Sequence, residues 1–189
     1  ETVLQELEAF AFADEDLAYL EKGGLFPPDF LAFLSRLRFT GDVMALPEGT
    51  ICFPDEPLLE ITAPVIEAQL LETLLLNVLG TATILASKAA RCVTAAQGRP
   101  LVDFALRRTQ GRDAGLALAR SSYLAGFAGT SNTLAGKLYG IPTSGTMAHA
   151  FVTAFETEID AFQAYAATFP RHTVLLIDTY DTHQGARNA

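Results

Sequence analysis

PLVDFALRRTQGRDAGLALARSSYLAGFAGTSNTLAGKLYGIPTSGTMAHAFVTAFETEIDAFQAYAATFPRHTVLLIDTYD, residues 100–181, decides the fold. It opens on a strand-like run, 101–106. A helical stretch follows over 111–126, and another over 131–139 that stops at Gly140. IPTSGTMA, 141–148, reads as a strand. Residues 150–168 read as one helix, because Phe151, Phe155, Ile159 and Phe162 recur at spacings of four, four and three. TVLLIDTYD, 173–181, reads as a buried apolar strand. Strand, helix, strand, helix, strand is the order of a parallel sheet with crossover helices. Closing a barrel of eight strands would take about five more.

Upstream, Pro64 sits where a proline opens a helix, and the apolar pattern carries that helix to about Ala96, with a bend expected near Gly80. Glu72, Asn77 and Lys88 interrupt its apolar stretch, so it reads as an amphipathic core helix with no membrane span expected. Residues 42–62 are short apolar runs broken by Gly, Pro and Asp, the pattern of short antiparallel strands. Residues 1–38 read as short helices: one capped by Asp14 and ended by Gly23 and Gly24, the next restarted by Pro27 and Pro28. The domain change is expected in the 64–100 region, which divides the chain into 1–97 and 98–189.

The chain has 189 residues, 50% apolar and 19% charged, too apolar for a disordered segment. Its net charge of −9 argues against a general nucleic-acid or polyanion binder, which needs a basic face. Cys52 and Cys92 lie forty residues apart with no metal-type spacing and read as small buried side chains in a reducing, cytoplasmic protein. The sequence opens on Glu1 and stops after HQGARNA, ends that read as those of a piece of a longer polypeptide.

Polar residues gather at the carboxyl ends of the three strand-like runs, the edge where parallel α/β folds place their sites. Arg107 and Arg108 follow the first run. If strand alternation persists there, only one of them faces a barrel interior; a guanidinium suits a carboxylate or phosphate. In GTSN, 129–132, Ser131 or Thr130 caps the next helix or offers a site for an anion at its amino end. Gly145 and Thr146 precede His149. His149 suits an acid–base group, a nucleophile or a metal ligand, or is simply a hydrogen-bonded histidine at a strand–helix junction. His172 reads as a solvated loop residue, and His183 as an undecided one. Asp178 and Asp181 either hold a ribose diol or a hydrated magnesium ion, or cap a helix. Walker-type, zinc and GxSxG signatures are absent from the sequence.

The run VDFALRRTQGRDAGLALARSSYLAGFAGTSNTLAGKLYGIPTSGTMAHAFVTAF, 102–155, followed by LLIDTYDT, 175–182, closely resembles nicotinate phosphoribosyltransferases. RFTGDVMALPEGTICF, 38–53, and APVIEAQLLETLLLNVL, 63–79, resemble them too. The resemblance implies an α/β sandwich amino-terminal domain, of which 1–97 is part, and the first strands and helices of an irregular TIM-like (β/α) barrel over 98–189. It also implies a typical homodimer. The implied reaction is transfer of a phosphoribosyl group from phosphoribosyl pyrophosphate to nicotinate, coupled to ATP hydrolysis, with magnesium on the pyrophosphate. By position, Arg107 lines the place where ring and phosphate meet, and Gly145 and Thr146 belong beside the nicotinate carboxylate. His149 is the histidine that ATP phosphorylates. Asp178, with Arg108 and Asp181, belongs near ribose, pyrophosphate and metal. Ser131 stands where the sister family that uses nicotinamide carries an acid, so a neutral residue there favours the acid vitamin. Ala150 departs from the serine that often follows this histidine. The alternatives are a quinolinate phosphoribosyltransferase, which needs more basic residues than Arg107, Arg108 and Lys137 supply; a metal-dependent barrel hydrolase; and an inactive structural piece.

Overall fold

The structure, a computed structural model, describes residues 2–189; Glu1, on which the sequence opens, lies outside the described residues. The chain forms two compact units, Glu1–Arg99 with Arg120–Gly126, and Pro100–Ala119 with Phe127–Ala189.

The first unit begins with α1 (Thr2–Glu8), α2 (Asp14–Lys22) and α3 (Pro28–Arg36). Asp14 is not the cap of α2: Ala13 holds that position, and its N–H donates to Asp16 Oδ2 at 2.9 Å. Asp14, Glu15 and Asp16 together put negative charge at the positive end of the helix. The 42–62 region forms the expected antiparallel pair, β1 (Asp42–Ala45) on β2 (Leu59–Thr62), in the register Asp42 to Thr62 through Ala45 to Leu59. α4 (Val65–Ala96) runs 32 residues without interruption at Gly80, which keeps an ordinary helical place. Pro64 stands one position earlier than expected, at the cap.

α4 is only partly amphipathic. Leu71, fully buried, and Leu75 join Val3 and Leu7 in a core that Phe10, Phe39, Val43, Leu59 and Ile61 surround. Yet Leu76 is 66% exposed and Ile84 69% exposed. By length and composition alone this helix would suit a membrane crossing. Its Leu71 face is instead closed by protein. Glu67 on the same helix is buried and accepts the Thr40 N–H at 2.7 Å, which satisfies a polar group beside that core.

The second unit holds β3 (Val102–Asp103), a 3₁₀ turn (Leu106–Arg108), α5 (Arg112–Leu124, whose end belongs to the first unit), β4 (Gly129–Thr130), α6 (Thr133–Tyr139), α7 (His149–Val152), α8 (Glu158–Thr168) and α9 (Thr182–Asn188). β3 pairs with β4 in parallel, Val102 to Gly129 and Asp103 to Thr130, and Thr130 pairs in parallel with Thr143. Three chain segments therefore lie side by side in the expected direction, but each pairing is short. Gly129 is required here, since a Cβ would meet the Pro142 carbonyl oxygen at 2.6 Å.

In the first unit the expected burial of the cysteines is not met, Cys52 being half-buried and Cys92 exposed; in the second unit two further expectations fail. Residues 173–178 carry no strand pairing among the described residues. Their apolar pattern is met by side-chain burial instead: Leu175, Leu176 and Ile177 pack on the core of Met147, Val152, Ala161 and Phe162. Residues 150–168 are not one helix. The chain leaves α7 at Thr153 and restarts at Thr157, whose hydroxyl accepts the Asp160 N–H at 3.2 Å. Within α8 the buried face is Glu158, Ala161 and Phe162, and Ile159 lies beside it at 43% exposure.

Candidate functional site

Arg107 and Arg108 lie in the 3₁₀ turn just past β3, not on a strand, so strand alternation does not sort them. Both are exposed, and neither guanidinium makes a hydrogen bond or ion pair among the described residues. The turn is set by Asp103. Its Oδ1 accepts the Ala105 N–H at 2.8 Å, two residues on, as an Asp side chain does in a local turn.

The GTSN segment is fixed from the same side chain. Asp103 Oδ2 accepts the Thr130 hydroxyl at 2.8 Å, and the Thr130 oxygen accepts the Asn132 N–H at 3.0 Å. The Ser131 N–H donates to the Asp103 carbonyl at 2.7 Å. The cap of α6 is Asn132, whose Oδ1 accepts the Ala135 N–H at 3.2 Å; neither Ser131 nor Thr130 does this. Ser131 is left half-buried between two anchored neighbours.

His149 is the first residue of α7 and is exposed. Its Nδ1 lies 3.2 Å from Thr179 Oγ1, and its Nε2 lies 3.9 Å from Asp178 Oδ1. Both partners belong to the turn after the buried 175–177 run. That turn is held from behind by α9. Gly185 of α9 abuts the Ile177 carbonyl so closely that a Cβ could not be accommodated. Asn188 of α9 donates from Nδ2 to Glu158 Oε2 at 2.8 Å. Glu158 is buried, and its Oε1 has no partner among the described residues.

Other expected residues sit nearby with their polar groups engaged. The Thr146 hydroxyl donates to the Val174 carbonyl at 2.9 Å, a bond it would give up to donate to a ligand. Asp181 caps α9, accepting the Gln184 N–H at 2.7 Å. Gly145 is exposed, with open space where a Cβ would project. His172 and His183 are exposed. No group of three or more metal-ligating side chains gathers among the described residues. Asp178 offers one exposed carboxylate, which fits a magnesium ion held mainly by substrate phosphates and water rather than by a protein cage. The structure thus assembles one open cluster (exposed His149 and Asp178 with half-buried Thr179) and one anchored turn (Asp103, Thr130, Ser131 and Asn132). Sequence reading missed Asp103 and Thr179. Asp103 had a visible signal, an acid inside the apolar run LVDFAL; Thr179 had none beyond its place in IDTYDT.

Residues 1–80 match the nicotinate phosphoribosyltransferase N-terminal domain family. The chain is 57% identical over 183 residues to nicotinate phosphoribosyltransferase pncB2 of Mycobacterium tuberculosis, covering 97% of this chain and 39% of that protein. It is 42% identical over 190 residues to the Bacillus subtilis nicotinate phosphoribosyltransferase, covering 100% of this chain and 39% of that protein. The crystal structure of human nicotinic acid phosphoribosyltransferase matches with a TM-score of 0.85 and 33% identity, over 98% of this chain and 47% of that one. A nicotinate-nucleotide pyrophosphorylase from Pyrococcus furiosus matches with a TM-score of 0.73 and 28% identity, over 85% of this chain and 41% of that one. The chain therefore spans about two fifths of the curated relatives it matches. On this similarity along nearly its whole length, the chain belongs to the nicotinate phosphoribosyltransferase family.

Proposed function

We propose that this chain carries part of the active site of an enzyme that transfers a phosphoribosyl group from phosphoribosyl pyrophosphate to nicotinate, with ATP hydrolysis coupled through His149. The product would be nicotinate mononucleotide, in the salvage route to NAD. The observation that carries the reading is the His149 cluster, in which the first residue of α7 meets Asp178 and Thr179 of the turn after 175–177. It is supported by the names of the relatives, which are nicotinate phosphoribosyltransferases.

The pyridine nitrogen attacks the anomeric carbon with its own lone pair, so no proton has to be removed and a general base at His149 would have no task. A neutral imidazole is a nucleophile toward the terminal phosphate of ATP. Asp178 lies on the Nε2 side and, after a small rotation of two exposed side chains, accepts an Nε2–H. The lone pair is then on Nδ1, where the Thr179 hydroxyl now sits. Attack would form an N–P bond, break the terminal P–O bond and release ADP; water later cleaves the N–P bond to phosphate. Arg107 and Arg108, with unpaired guanidiniums, suit phosphate oxygens, and Ser131 presents a neutral side chain to the nicotinate carboxylate. Asp178 would be the carboxylate to hold a magnesium ion, which would supply positive charge for the departing pyrophosphate. The same reading makes 1–97 part of an α/β sandwich and 98–189 the opening of a TIM-like barrel, in a cytoplasmic homodimer.

The direct test is incubation of the full-length protein with ATP labelled in its terminal phosphate. Acid-labile label on the wild type and none on His149→Ala is expected, with slow ATP-independent transfer surviving in the variant. Label retained by the variant overturns the role of His149.

A further inference from the structure

We propose that Asp103 is a positioning residue for substrate choice: one buried carboxylate sets both the turn that carries Arg107 and the turn that carries Ser131. This inference rests on the phosphoribosyl-transfer reading above. Asp103 is 5% exposed, Thr130 fully buried and Asn132 4% exposed, so the network is closed to water. Each Asp103 oxygen has its own donor. Oδ1 takes the Ala105 N–H at 2.8 Å, the start of the Leu106–Arg108 turn. Oδ2 takes the Thr130 hydroxyl at 2.8 Å, on the neighbouring strand.

The Thr130 oxygen passes the constraint on by accepting the Asn132 N–H at 3.0 Å. The Asp103 carbonyl takes the Ser131 N–H at 2.7 Å. Ser131 is thus fixed at its own amide and on both flanks. Because both carboxylate oxygens turn toward protein donors, Asp103 acts through Ser131 and Arg107 and does not itself meet the ligand. The chemistry also explains an acid at this place. Two donors converge on it, and an amide would turn one N–H toward the Thr130 hydroxyl, which already accepts from Asn132 and would have to find a new acceptor. In a buried site nothing nearby replaces that partner.

The variants are Asp103→Asn, Thr130→Val and Thr130→Ser in the full-length protein, assayed with nicotinate and with nicotinamide. Asp103→Asn and Thr130→Val are expected to raise KM for nicotinate about tenfold with kcat changed less, and to narrow the preference for nicotinate over nicotinamide, as misplacement of a binding group does. Thr130→Ser keeps the hydroxyl and should restore KM and preference to near wild type. A merely structural role would lower the amount of folded enzyme and leave preference alone. Wild-type preference in Thr130→Val, or loss of preference in Thr130→Ser as well, overturns the proposal. A wild type without transfer activity defeats the functional reading instead. The coupling is then decided by hydrogen exchange: Asp103→Asn should speed exchange at 105–108 and at 130–133 together, and loosening of one segment alone overturns it.

Discussion

The Ser131 turn and the His149 turn carry similar numbers of polar side chains and are built in opposite ways. Around Ser131 every anchor is buried and within hydrogen-bond distance, from Asp103 through Thr130 to Asn132. Around His149 one partner, Asp178, is exposed and the other, Thr179, only half-buried. The imidazole is 55% exposed, Asp178 is 58% exposed, and their separation of 3.9 Å is an approach rather than a bond. A group that must discriminate between similar ligands gains from being held before the ligand arrives. A group that must gain and lose a phosphoryl group needs room for three more oxygens, and a rigid buried cage would obstruct it. On the proposed reading, the difference gives rigidity to recognition and freedom to the group that turns over.

The comparison breaks most sharply at Asp103. Asp103→Ala leaves the buried Thr130 hydroxyl and the half-buried Ala105 N–H without acceptors, at an expected cost of about 2–3 kcal/mol, measured by denaturant unfolding. A loss below about 0.5 kcal/mol, the range of ordinary surface changes, would show that water replaces the carboxylate freely. Next comes the support of the His149 side. Gly185→Ala drives a Cβ into the Ile177 backbone, which has no flexible end to move, so about 1–3 kcal/mol should be lost. Labelling of His149 should fall with it, because Asp178 and Thr179 follow Ile177 directly.

Thr179→Val sharpens the comparison from the other side. The hydroxyl it removes bonds, among the described residues, only the exposed imidazole of His149, so stability should change by less than about 0.5 kcal/mol while the rate of phosphoryl labelling changes. A large stability loss there would erase the distinction between the two turns.

The smallest effect is a control within the first unit. The Arg120 guanidinium, bonded to Glu48 at 2.6 Å, holds the Glu48 carboxyl below the usual carboxylate range. A lowered folded value stabilises above the ordinary carboxylate range, and that gain is lost as pH falls through the range to the lowered value. The pair is partly exposed, so the gain is under about 1 kcal/mol. Glu48→Gln should lower Tm slightly near neutral pH and match the wild type in acid. An undiminished difference in acid would refute the electrostatic origin.

The helices were legible where a periodic apolar face and a punctuating residue coincided, as at Pro64 and at Gly140. What escaped were features set by partners distant in sequence. The run 173–178 announces burial through Val174, Leu175, Leu176 and Ile177, but nothing in it says whether a neighbouring backbone is there to pair with. Asn132 replaced Ser131 as a cap because all three of Thr130, Ser131 and Asn132 are capable, and the choice fell to the buried carboxylate on another strand. The break in 150–168 had a local sign that the apolar spacing overrode: Thr157 followed three residues later by Asp160, a pair that closes on itself at 2.6 Å. His149 and Asp178 were placed at one edge from order alone, and the structure brings them together; Thr179 became visible only through the turn.

The uncovered side of α4 has a consequence for the behaviour of the chain in bulk solution. Leu76 and Ile84 present apolar surface to water, while a net charge of −9 keeps like molecules apart at low ionic strength. Added salt screens the repulsion, and excluded salts such as sulfate strengthen the attraction between apolar surfaces. Both changes act in the same direction. Light scattered by a fixed concentration of the 189-residue chain should therefore climb with ammonium sulfate. The substitutions Leu76→Gln and Ile84→Gln should move the onset to higher salt.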